Sequence, residues 1–161
     1  MERTKWNPAH LSKAQINPID SEFLSRLGLP SLKNDELTYS PELLPDSIEG
    51  TDCHLIGIYG IWNDLPLYVR ESTAGVWMIN ENDGQPVMIN SSCNAFSRFL
   101  GLREKYLLDM GQYLPAKVQF AFVMIIRKAM QEIDQAAMTV ESFWDLSMQD
   151  VADEVTFCDD E

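Results

Sequence analysis

The residues able to do chemistry are few and badly placed for it. His10 and His54 are the only histidines, and Cys53, Cys93 and Cys158 the only cysteines. Cys53 and His54 are neighbours in a strand-like run, so their side chains point to opposite sheet faces and cannot form a nucleophile–base pair. No CxxC occurs, and the histidines are too isolated for a metal set. There is no GxSxG, Walker loop or GxGxxG. Gly57 and Gly60 flank Ile58-Tyr59 with no helix following, which suits a bulge or turn better than a phosphate cradle. Carboxylates are so abundant that no pair of them stands out as acid and base. The sequence therefore reads as non-enzymatic, with no catalytic residue, no metal and no cofactor.

Elements that position binding residues are easier to find. The chain has 161 residues, 45% of them hydrophobic, enough for one domain with a sizeable core. Its formal charge of −13 disfavours nucleic acid or an anionic membrane as direct partner. Two readings of that acidity stand side by side: a basic protein partner, or solubility alone. The opening MERTKWNPAH lacks the apolar core of a secretory signal. The longest apolar run, Phe120 to Ile126, is far below the ~20 residues of a membrane span. The expected location is a reducing cytoplasm. Asn90-Ser91-Ser92 then reads as a helix cap rather than a glycosylation acceptor.

Residues 1–17 show no clear period and read as an N-terminal arm. Asn17-Pro18 opens a helix that buries Phe23, Leu24 and Leu27 and stops at Gly28-Leu29-Pro30. The proline-rich stretch 31–50 reads as a surface connection with at most one short strand. Four strands follow, at Cys53–Tyr59, Leu67–Arg70, Val76–Asn80 and Val87–Ile89, joined by short turns into an antiparallel meander. A helix begins near Ser91 and runs to about Leu108, with Gly101 as a weak point. Pro115 starts the longest helix, apolar nearly all round in its first half and therefore expected to be buried. A last helical piece spans Glu141 to about Val155. The organisation expected is a single α+β domain over 18–155, a sheet of four to six strands covered by helices, then an acidic tail at 156–161. Trp77 and Trp144 are expected in the core, Trp77 sharing it with Phe96, while Trp62 in a turn is open to partners.

Three pieces, in this order, resemble the SUKH superfamily of bacterial toxin-immunity proteins, its fourth subgroup in particular. They are Phe23-Leu24-Ser25-Arg26-Leu27-Gly28-Leu29-Pro30, the Thr73-Ala74-Gly75 element between strands, and Ile89-Asn90-Ser91-Ser92 followed by Phe96 and Phe99-Leu100. Cys93 stands where the family has a bulky apolar residue. The resemblance implies an α+β sheet backed by helices, no catalysis, and tight binding of a toxin domain, many such toxins being nucleases or nucleic-acid deaminases. A basic toxin would complement the net charge.

No Lys or Arg follows Lys128, so the acidic C-terminal region supplies the partner-binding candidates Asp145, Asp150, Asp153 and Glu154. The exposed sheet face and the turns holding Trp62 and Asp83 are the alternative contact. Two other classes remain open: an acidic secretion chaperone, and a non-catalytic regulatory or ligand-binding domain of the same fold. Oligomeric state is not encoded in any of these features.

Overall fold

Two Asn-Pro pairs start the first two helices, α1 (Pro8–Lys13) and α2 (Pro18–Arg26). Asn7 Oδ1 accepts the Ala9 amide hydrogen at 2.9 Å, and Asn17 Oδ1 accepts that of Ile19 at 3.1 Å. Gly28 closes α2 at φ +73°, where a Cβ would lie 2.1 Å from the Thr4 carbonyl oxygen. That close approach lets β1 (Arg3–Thr4) pair with β2 (Leu29–Pro30). The Arg3 guanidinium donates to the Leu27 and Gly28 carbonyls at 2.9 and 2.7 Å, and to Ser97 Oγ at 2.7 Å. The stretch expected to be an arm is thus an ordered part of the fold. Trp6 is 2% exposed, donates from Nε1 to the Ser40 carbonyl at 3.0 Å, and meets Tyr39 edge-on.

The architecture is α+β, in a computed structural model that describes residues 2–32, 37–48, 50–60, 65–71, 73–80, 84–110 and 116–149. Five strands form an antiparallel meander in chain order: β3 (Leu37–Ile48), β4 (Thr51–Tyr59), β5 (Leu65–Arg70), β6 (Val76–Ile79) and β7 (Pro86–Asn90). β3 replaces the surface connection expected over 31–50. Its prolines mislead because it is an edge strand, where a missing N–H breaks no central ladder. Its register also jumps: Tyr39 lies opposite Gly57 but Leu44 opposite Leu55, so a wide bulge falls between them.

The pleat sorts the strand residues into two faces. His54, Val69 and Val76 form one cross-strand row and are at most 7% exposed. Trp77 alternates away from Val76, so it does not share Phe96's core as expected; it packs instead with Cys53, Tyr68, Leu55 and Ile79. Phe96, 1% exposed, sits in the first turns of α3 (Cys93–Met110).

The chain divides into two compact units, Met1–Ser97 and Arg98–Glu161. α3 runs on past Gly101 without a break. The second unit holds α4 (Ala116–Ile133), a 3-10 turn (Gln135–Met138) and a helix over 143–149. Phe99, Val123, Ile126, Met130 and Trp144 are buried in it, Phe99 and Trp144 meeting edge-on at 5.4 Å. α4 is amphipathic rather than buried all round: Phe120, Met124 and Ile125 are 45%, 47% and 62% exposed. Counting apolar residues overstated its burial, since 3.6-residue periodicity leaves one stripe outward whatever its composition.

Removing a fully buried aromatic ring leaves a cavity. Phe96→Ala is expected to lower unfolding free energy by about 3–5 kcal/mol in urea titration, with an unchanged m-value.

Candidate partner-binding face

The second sheet face carries an apolar row that crosses all five strands. Successive register partners are Leu44, Leu55, Tyr68, Trp77 and Met88. Leu44 is 49% exposed, and Leu55, Trp77 and Met88 are half-buried. Ile58, on the same face, is 38% exposed. The neighbouring row is Asp46, Cys53 and Arg70. The Arg70 guanidinium lies 4.7 Å above the Trp77 ring, a cation–π contact that fixes both side chains. Trp77 Nε1 is buried without an acceptor among the described residues. Burial, and then the hydrogen bond to Asp46, push the Tyr68 hydroxyl from its ordinary 10 up to about 12. The face therefore offers rigid aromatic and aliphatic area with one cation and one carboxylate at its side, the composition that supplies most of the energy in protein interfaces.

What holds the sheet's end to the helices is a single carboxylate. Asp20, in the first turn of α2, is 1% exposed. Its Oδ2 accepts the Gly75 amide hydrogen and its Oδ1 that of Cys93, both at 2.7 Å. Gly75 is at φ +118°, and a Cβ there would lie 2.5 Å from the Asn90 carbonyl oxygen. The buried Cys93 thiol is driven well above its ordinary range, by burial first and then by Asp20, to which it also hydrogen-bonds. Ser92 Oγ takes the Ala95 amide at 3.1 Å and caps the same helix start. The Phe23–Pro30 helix and turn, Gly75, and Asn90-Ser91-Ser92-Cys93 are thus parts of one junction. A family model described as SUKH-4 immunity protein matches residues 2–150.

The chain belongs to the SUKH-4 immunity protein family. No curated protein and no solved structure matches it. In this SUKH-4 member, Cys93 follows the paired serines, and its thiol gives Asp20 a third donor.

The residues expected to bind the partner fare unequally. Asp150, Asp153, Glu154, Trp62 and Asp83 lie outside the described residues. Asp145 is not a rim charge. Its side chain is 1% exposed, ion-paired with Arg127, and accepts the Glu141 amide and Gln149 Nε2, both at 3.2 Å. Ser142 Oγ takes the Asp145 amide at 3.3 Å. Ser142-x-x-Asp145 is therefore a helix-start device close to a capping box, and that spacing was the signal to read. The row Leu44–Leu55–Tyr68–Trp77–Met88 was hidden because cross-strand register is not written in any one strand.

Among the described residues, no group of three His, Cys, Asp or Glu is placed to hold a metal ion, and no helix is long and apolar enough to cross a membrane.

Two outcomes follow from these side chains. Asp20→Ala leaves two buried amides without acceptors and should cost about 2–5 kcal/mol of stability by chemical denaturation. A phenol whose pKa is raised by folding adds stability that is present below the unfolded value and lost above it. The stability contributed by Tyr68 should therefore fall as pH rises from 10 to about 12. The wild-type minus Tyr68→Phe difference in tyrosinate absorbance should show one group titrating in that upper range.

Proposed function

We propose that this protein is the immunity partner of a bacterial polymorphic toxin and neutralises it in the cytoplasm by one-to-one binding, without catalysis. The observation that carries the reading is the apolar five-strand row, kept half open on the face opposite the buried row of His54, Val69 and Val76, in a member of an immunity family. The toxin domain that fits is basic, as a nuclease or nucleic-acid deaminase must be to hold its substrate. A charge of −13 would speed its encounter, while Trp77, Leu44 and Ile58 would supply the lasting contact. Asp150, Asp153 and Glu154 are assigned to the steering, and Trp62 and Asp83 to the contact edge. The described strand ends that flank the two turn residues, Tyr59 with Leu65 and Ile79 with Pro86, are at the same end of the meander.

A secretion chaperone would bind a disordered segment as a dimer, and the deciding measurement separates the two. The protein is titrated by calorimetry with candidate basic toxin domains, nucleases and nucleic-acid deaminases, and the complex mass is measured by light scattering. A one-to-one complex with the folded domain is expected. Leu44→Glu and Ile58→Glu sit at exposed positions and leave the fold intact; each should weaken the complex at least about tenfold. Unchanged affinity in both variants would move the interface elsewhere. Absence of a complex with the folded domain would reject the immunity reading.

A further inference from the structure

Two charges stand on the half-open sheet face without a counter-ion. Asp46 on β3 and Arg70 on β5 are register partners of the same residue, Cys53 on β4, one on each side of it. Their backbones are therefore two strand spacings apart, about 10 Å. Asp46 is exposed and Arg70 half-buried, and among the described residues neither makes an ion pair. In a chain with 25 acids and only 12 bases, a base without a carboxylate calls for a reason.

Both charges are held in place before anything binds. The Arg70 guanidinium is stacked over the Trp77 ring, and it donates no hydrogen bond among the described residues. Asp46 Oδ1 accepts the Ser47 amide hydrogen at 2.7 Å, and its carboxylate also takes the Tyr68 hydroxyl hydrogen. Charges fixed in this way lose little freedom when a partner arrives. Leu44, 49% exposed, and Leu55, half-buried, lie on the same face beside them. Opposite charges set on either side of one strand, with apolar side chains alongside, form a surface that is complementary to itself when turned over. That is the requirement for an isologous contact, in which residue i meets j and j meets i.

We infer that two copies of this chain pair face to face about a two-fold axis that runs along β4 at Cys53. The axis exchanges β3 with β5, so Arg70 of each copy meets Asp46 of the other and two ion pairs close the contact. Leu44 then lies over Tyr68 of the second copy, and Leu55 over its own counterpart. Repulsion between two chains of charge −13 is screened beyond about 8 Å at physiological salt, whereas these pairs are in contact and partly desolvated. Overlap is confined to β3, β4 and β5, because β6 and β7 extend past the second copy's edge at β3. Such an interface is smaller than that of a permanent dimer, and the association is weak and reversible. It covers part of the row assigned above to the toxin, so dimer and toxin complex exclude each other. That consequence rests on the toxin reading; the pairing itself does not.

The test is sedimentation equilibrium of the full chain alone, from about 10 μM to about 1 mM in ~0.15 M salt. A monomer–dimer equilibrium within that range is expected. Arg70→Glu and Asp46→Lys should each weaken dimerisation at least about tenfold, because each sets like charges against one another twice. An equimolar mixture of the two variants should regain the wild-type association, since both ion pairs of the mixed dimer again join opposite charges. Circular dichroism checks the fold of each variant. Where a reversed charge disturbs it, Arg70→Gln and Asp46→Asn give the same single-variant comparison with a smaller loss. A chain that stays monomeric at about 1 mM would overturn the pairing. So would a dimer indifferent to both variants, or a mixture no more associated than its components. The toxin takes no part in these measurements, so their failure is separate from a failed calorimetric titration.

Discussion

A carboxylate sealed from water is tolerated only where donors surround it, and Asp20 is the point at which this fold meets that requirement. Its three donors come from distant parts of the chain: the Gly75 amide between β5 and β6, and the Cys93 amide and thiol at the start of α3. Once α2 presents Asp20 inward, the sheet's end and the next helix have only one arrangement that satisfies the charge. Gly75 is part of the same constraint, because only a residue without Cβ can lie against the Asn90 carbonyl at positive φ. The turn at Gly75 and the helix start at Ser92-Cys93 are the groups that close around this carboxylate.

That junction fixes which face of the sheet is covered. His54, Val69 and Val76 are turned inward, and the alternation of the strands then leaves Leu55, Trp77 and Met88 on the other side. A half-open apolar face is a liability in a protein that acts alone and an asset in one that acts by association. The stack of Arg70 on Trp77 and the link of Tyr68 to Asp46 reduce the conformational freedom of that face before any partner arrives.

How legible this was depended on the range of the interaction. The meander from Cys53 to Ile89 and the capped start near Ser91 rest on alternation and on caps within a few residues, and they stand as read. β3 was lost because Pro41 and Pro45 argue against a strand everywhere but at an edge, and edge position is a property of the sheet. The arm was misread although Asn7-Pro8 repeats the signal recognised at Asn17-Pro18; a six-residue helix and a two-residue strand carry no measurable period. Nothing in the sequence near Asp20 announces partners 55 and 73 positions away. Asp145 reads as surface charge in the sequence because its counter-ion, Arg127, lies on a different helix.

The prolines that obscured β3 have a further meaning. The sheet's two outer strands are β3 and β7, and β7 opens with Pro86 while β3 carries Pro41, Pro45 and a wide bulge. A strand from another molecule, adding itself along either margin, would meet missing donors and a broken ladder. Self-templated stacking into fibrils is therefore resisted at the margins, where backbone would do the recruiting. Side-chain recognition is possible on the flat of the sheet, where no backbone ladder has to be extended.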